Sequence, residues 1–123
     1  EGDWLSDLLP SVWAKMGPRA AEPLWAYIRD RRHNSEQRGN VMIGLQRLAE
    51  KHRPYRREVI EGLAQLLDDA PDEDGTGNAY IAHVLSELGA VEALPALRWA
   101  YDEDRIDLGI VTWDDVMVRM EGE

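Results

Sequence analysis

Cysteine and phenylalanine are absent from the 123-residue chain, and histidine occurs only three times. The lack of cysteine excludes disulfides, thiolate metal ligands and a cysteine nucleophile within this sequence, and it favours a reducing, cytoplasmic location. No apolar run approaches the roughly 18 residues that a membrane-spanning helix needs, so no membrane contact is predicted. Because phenylalanine is missing, tryptophan and tyrosine must supply the large aromatic side chains of the core. The sequence begins at Glu1 rather than methionine, so we expect a piece of a longer protein.

The charges are segregated along a chain whose formal net charge is −10. Residues 29–57 hold nine of the fourteen cations against three acids, a local charge of +6. Residues 58–107 hold thirteen acids against two arginines, a local charge of −11. The overall acidity disfavours nucleic acid, which is bound by neutralising phosphates, whereas the basic region favours an acidic partner. The alternative is that these cations only complement the dipoles of helix C-termini.

An internal repeat emerges when the sequence is shifted by 36 residues without gaps, which aligns residues 5–31, 41–67 and 77–103. Six aligned columns are mainly apolar, at the spacing of one face of a helix. Two further columns are rich in glycine and proline, which end and start helices. The apolar columns are Leu9/Leu45/Ile81, Val12/Leu48/Val84, Trp13/Ala49/Leu85, Leu24/Ile60/Ala96, Tyr27/Leu63/Trp99 and Ile28/Ala64/Ala100, and the others are Gly17/Arg53/Gly89 and Pro18/Pro54/Ala90.

Each repeat predicts two helices joined at the glycine and proline columns. Asn34, Ser35 and Thr76 are candidate N-caps, and Pro10 predicts a kink in the first helix or a break near Leu9. Such a pair cannot bury both of its faces alone, so neighbouring pairs must stack. The expected fold is all-α: one domain, residues 1–123, forming a short right-handed α-solenoid of three helical hairpins (about 4–33, 34–71 and 72–104).

The tail, residues 105–123, departs from the repeat and is predicted to cap the C-terminal end of the stack. Its apolar residues Ile106, Leu108, Ile110 and Val111 suggest an extended cover. A final short helix is expected over 113–120, started by Asp114 or Asp115.

These patterns resemble the HEAT-like repeats of bacterial α-solenoids. The stretch 89–97, Gly-Ala-Val-Glu-Ala-Leu-Pro-Ala-Leu, is similar to a unit found in phycobilin-lyase-type and other HEAT-like repeats. The tail, with Asp-Arg-Ile-Asp at 104–107 and Trp-Asp-Asp-Val at 113–116, resembles the end of a bacterial HEAT-like domain of unknown function. A cysteine-rich zinc motif sometimes follows in that group, and none is present here. The resemblance implies structural columns and transfers no catalytic residue.

The sequence contains no complete metal-binding or catalytic motif. Residues 68–78 resemble a calcium loop, but the first and twelfth ligand positions would fall on Ala70 and Ile81. His83 and Glu87 share a helix face at a spacing of four residues, without a third metal ligand in reach. The serines lie in no Gly-x-Ser-x-Gly elbow. We therefore predict no catalytic residue, no metal and no cofactor.

The predicted function is that of a protein-interaction scaffold. In HEAT-type stacks the second helices line the concave surface, so the resemblance implies a binding strip there. An alternative for Trp25 is packing against the next repeat. One rival function is that of an accessory or substrate-binding domain of a HEAT-like enzyme (lyase or glycosylase type). A second is binding of anionic partners or nucleic acid through residues 29–57. A third is self-association, in which the basic region binds the acidic end of another copy. The candidate binding residues are Trp25, Arg29, Arg32, Glu61, Gln65, Arg98 and Tyr101.

Overall fold

The computed structural model describes residues 21–30, 32–69 and 75–121. These residues form six α-helices and two 3-10 turns, and none of them lies in a β-strand. The helices are α1 (Ala21–Arg29), α2 (Ser35–Lys51), α3 (Arg56–Asp69), α4 (Gly75–Glu87), α5 (Leu94–Asp102) and α6 (Trp113–Glu121). The turns are Arg53–Tyr55 and Val91–Ala93. The expected all-α class is confirmed, whereas the predicted first helix and the kink at Pro10 lie outside the described residues.

The chain packs as two compact units, residues 1–59 (unit 1) and residues 60–123 (unit 2), and the boundary falls within α3. In unit 1, α1 packs against α2. The capping box at Asn34 starts α2: the Gln37 N–H donates to Asn34 Oδ1 at 2.7 Å, and the Asn34 N–H donates to Gln37 Oε1 at 3.0 Å. Such a box satisfies amide groups that a helix start leaves unpaired. Of the three candidate N-caps, Asn34 is therefore the observed one for α2.

The apolar columns are buried at nearly all of their described positions. Leu45 and Ile81, Leu48 and Val84, and Ala49 and Leu85 are all at most 3% exposed. Ala64 and Ala96 are half-buried. Trp99 is exposed, at 38%, although its column partners Tyr27 and Leu63 are buried. The expectation that Trp99 belongs to the core was wrong. The Arg105 guanidinium lies 4.7 Å from the Trp99 ring centroid and covers part of the ring instead.

Glycine and proline act at the helix ends as predicted. Gly89 follows α4 with a φ of 63°, the left-handed conformation that ends helices and that glycine adopts without steric cost. Pro54 lies at the start of the 3-10 turn before α3, and Pro95 lies in the first turn of α5. Neither proline needs an N–H partner there. Thr76 lies inside α4, which begins at Gly75, so it is not the N-cap.

The tail of unit 2 is tied down at several points. The Asp107 N–H donates to the Gly75 carbonyl at 3.2 Å, and Asn78 Nδ2 donates to the Arg105 carbonyl at 2.9 Å. The final helix α6 packs against α4 and buries Val116 completely. The tail therefore covers the first helix of the third predicted repeat.

Two details of the predicted tail were wrong. Residues 108–110 form a turn rather than an extended cover, and only Ile106 and Val111 of the four apolar residues are buried. Helix α6 is capped by Thr112 rather than by Asp114 or Asp115. The Asp115 N–H donates to Thr112 Oγ1 at 3.1 Å, and the Thr112 N–H donates to the Asp115 carboxylate at 3.0 Å. Hydrogen bonds from Thr112 to the Asp115 carboxylate lower the pKa of Asp115, because they favour its charged form.

Candidate functional site

Trp25 and Tyr55 meet in unit 1 although 30 residues separate them. Trp25 lies on α1, and Tyr55 ends the 3-10 turn that follows α2. The Trp25 Nε1–H donates to the Tyr55 hydroxyl at 3.1 Å, and both side chains are half-buried. The hydrogen bond fixes the indole while part of its ring still faces solvent. A rigid, partly exposed aromatic side chain binds a partner at low cost in conformational entropy.

Arg29 lies one helical turn after Trp25 on α1. Its guanidinium carbon is 5.3 Å from the Trp25 ring centroid, within the range of a cation–π contact. The side chain is exposed and has no carboxylate partner within the described part of the chain. Arg29 therefore places a positive charge beside an aromatic ring.

Arg53 is a second cation, close to Tyr55 in sequence. It is exposed, lies two residues before Tyr55 in the same 3-10 turn, and has no ion pair among the residues described. We call Trp25, Arg29, Arg53 and Tyr55 the aromatic–basic patch. Its composition of tryptophan, tyrosine and arginine is the one enriched at the energetic centres of protein interfaces.

Arg32 was predicted as a binding residue, but it is engaged locally. Its Nε and Nη2 donate to the two carboxylate oxygens of Asp30 at 3.0 and 2.8 Å. Hydrogen bonds from Arg32 hold the pKa of Asp30 well below its usual range. The Asp30 carboxylate thereby neutralises the charge of Arg32. We therefore do not include Arg32 in the aromatic–basic patch.

The remaining predicted binding residues lie in unit 2. Glu61 and Gln65 are exposed and four residues apart on α3, so they share one helix face.

Arg98 and Tyr101 both contact Trp113 of α6. The Arg98 guanidinium lies 5.0 Å from the Trp113 ring centroid, and the Tyr101 ring meets the Trp113 ring edge-on at 5.6 Å. The Tyr101 hydroxyl donates to the Val111 carbonyl at 2.9 Å, and burial raises the pKa of Tyr101 to about 12. Arg98 and Tyr101 therefore attach α5 to the tail through Val111 and Trp113.

The pair His83 and Glu87, considered above for metal binding, contacts Arg119 of α6. Arg119 Nε lies 2.9 Å from the Glu87 carboxylate, and Arg119 Nη1 lies 3.4 Å from His83 Nδ1. Since an arginine can only donate, His83 Nδ1 accepts here and is unprotonated. Within the described residues no group of three or more His, Asp or Glu side chains could hold a metal ion. The candidate calcium loop lies partly outside these residues.

No protein-family model matches this chain, and neither the curated proteins nor the solved structures provide a match. Among the helices described, none is both long and apolar enough to cross a membrane.

Sequence reasoning missed Tyr55. The residue lies outside every repeated column, and no short-range spacing links it to Trp25. One signal was available: a tyrosine follows Pro54 at a predicted helix junction, where a side chain can reach the preceding hairpin.

Proposed function

We propose that this chain is a protein-interaction module that binds an acidic segment of its partner through the aromatic–basic patch of unit 1. The observation that carries the proposal is the Trp25 indole, held by Tyr55 and flanked by Arg29, a cation without a carboxylate partner among the described residues. An acidic peptide would pair carboxylates with Arg29 and Arg53 and lay an apolar side chain on the indole. Such contacts need no catalytic group.

We also propose that the fold is a HEAT-like α-solenoid. Two observations support this. Helices α2 and α4 end at Lys51 and Glu87, one predicted repeat apart, and a 3-10 turn follows each of them. Most described members of the apolar columns are buried, whereas Ala64 and Ala96 are half-buried and Trp99 is exposed. A repeated hairpin with a repeated core is the basis of α-solenoids, whose exposed helix faces bind extended segments of partner proteins.

The test uses the whole chain labelled with 15N and a synthetic peptide rich in glutamate and leucine. We expect the indole N–H resonance of Trp25 to shift on titration. Arg29→Glu should weaken binding roughly tenfold or more, because it places like charges in contact. The matched control is Arg47→Glu, which makes the same charge change at an exposed residue of α2 that pairs with Glu50. It should leave the affinity within about twofold, as expected of an exposed, solvent-screened charge that is not part of the aromatic–basic patch.

Two results would count against the proposal. Equal loss of binding in Arg29→Glu and Arg47→Glu would indicate a diffuse electrostatic effect rather than a patch. A shift of the Trp25 indole by a short DNA duplex, but not by the acidic peptide, would favour nucleic-acid binding through the basic region.

A further inference from the structure

A second surface, in unit 2, complements the aromatic–basic patch. Leu108 and Ile110 lie on the turn between Asp107 and Val111 and are 57% and 48% exposed. The residues on either side of this pair, Ile106 and Val111, are 5% and 2% exposed. Two large apolar side chains are thus held in solvent between two buried anchors.

The turn is ordered by its own hydrogen bonds. Asp107 Oδ1 accepts from the Gly109 N–H at 2.9 Å, and the Asp107 carbonyl accepts from the Ile110 N–H at 3.0 Å. The Asp107 N–H in turn donates to Gly75 of α4. The exposed pair is therefore presented by a fixed backbone, which lowers the entropy cost of binding.

Acidic side chains surround the pair in sequence. Asp104, Asp107 and Asp114 are all exposed, and Asp104 and Asp114 make no side-chain hydrogen bond or ion pair within the described part of the chain. We call Asp104, Asp107, Leu108, Ile110 and Asp114 the acidic turn. It offers carboxylates around two aliphatic side chains, whereas the aromatic–basic patch offers arginines around an indole ring.

We propose that the acidic turn of one molecule binds the aromatic–basic patch of a second copy of this chain. This inference rests on the proposed function, since it names the acidic segment that the patch binds. Leu108 and Ile110 lie on the Trp25 indole, and the aspartates pair with Arg29 and Arg53. The two surfaces differ, so the contact between copies is head-to-tail.

The net charge of −10 opposes association of identical molecules. At physiological ionic strength, however, charges farther apart than about 8 Å are largely screened. Opposite charges in direct contact across the two surfaces lie inside that distance, so their attraction is screened less than repulsion between charges farther apart. We therefore expect weak association, with a dissociation constant on the order of 100 µM, the strength typical of a small transient interface.

The experiment is sedimentation velocity on two double variants and their mixture. Arg29→Glu with Arg53→Glu removes the patch, and Leu108→Lys with Asp114→Lys removes the acidic turn. The wild-type sedimentation coefficient should rise with concentration, and each double variant alone should remain monomeric. An equimolar mixture should form a dimer, because one variant retains the turn and the other retains the patch. Arg47→Glu and Asp68→Lys, exposed charge reversals elsewhere, should associate like the wild type.

A wild-type chain that stays monomeric throughout would overturn the inference. So would a mixture of folded variants, checked by circular dichroism, that fails to pair. The peptide titration separates the two proposals: if the wild type binds the acidic peptide without self-association, only the head-to-tail contact is wrong. If the peptide leaves Trp25 unchanged, the proposed function itself fails.

Discussion

Gly89 ends α4 in a conformation that other residues reach only with strain. Its φ is 63°, and a Cβ built there would meet no atom within 4 Å, so the site has room and only the backbone conformation is restrictive. Gly89→Ala should therefore lower the free energy of unfolding by about 1 kcal/mol. Gly89→Asn should cost less, since asparagine tolerates the left-handed region. Urea denaturation measures both. Equal losses in the two variants would show that the left-handed conformation of residue 89 does not set the cost.

The Tyr101 hydroxyl provides a second prediction for a single residue. It donates to the Val111 carbonyl, which belongs to a residue only 2% exposed. Tyr101→Phe leaves that carbonyl without its donor and should cost about 1 kcal/mol of unfolding free energy. Tyr80→Phe is the matched control on α4, because the Tyr80 hydroxyl makes no hydrogen bond with the described residues. If both substitutions cost the same, the Val111 contact contributes nothing.

Single residues also show where sequence reasoning reached its limit. The columns predicted the burial of Leu45, Ile81 and Leu85 because helical spacing determines which face a side chain occupies. They failed at Trp99. A column position predicts which helix face a side chain occupies, but not whether neighbouring residues bury a side chain as large as tryptophan. Tyr55 was missed because its contact with Trp25 is long-range and depends on the path of the chain between helices.

Among the elements, α6 was predicted well and the turn before it was not. Helical spacing and acids in the first turn indicated a helix over 113–120, and the structure has Trp113–Glu121. Residues 105–111 carry alternating apolar residues, the usual pattern of a strand. No strand partners them within the described residues, so local hydrogen bonds at Asp107 and Gly109 form a turn instead.

The contact between α4 and α6 should be sensitive to pH through His83. Burial and the charge of Arg119 lower the pKa of His83, with Glu87 opposing them. The unfolded chain, with a histidine pKa of about 6.5, therefore takes up the proton first as the pH falls. The free energy of unfolding should accordingly decrease as the pH falls through about 6.5. Urea midpoints at about pH 7.5 and 5.5 measure this, in a range above most carboxylate titrations.

His83→Gln tests the assignment. It removes the titrating group, so the difference between the two midpoints should shrink. Arg119→Gln removes one of the two causes and retains burial, so it should leave an intermediate difference. A pH dependence unchanged in His83→Gln would assign the effect to another residue.

For the whole molecule, composition and repeats predicted the all-α class but not its division into compact units. Column alignment treats every repeat as equivalent, whereas the structure has one unit ending at Val59 and the next beginning at Ile60, within α3. A periodic pattern carries no information on where contacts between neighbouring repeats are fewer.

The whole-molecule charge gives the sharpest prediction, because net and local charge predict opposite responses to salt. If the net charge of −10 governed the encounter, an acidic peptide would be repelled, and added salt would strengthen binding by screening that repulsion. If the aromatic–basic patch governs it, the peptide is attracted at short range, and salt should weaken binding. We expect the second response, so the affinity for the peptide should fall several-fold between about 50 and 500 mM NaCl.

Calorimetric titration at several salt concentrations measures this trend. Arg29→Glu should flatten or reverse the trend, whereas Arg47→Glu should preserve it. An affinity that rises with salt in the wild type would mean that the acidic surface of the molecule outweighs Arg29 and Arg53.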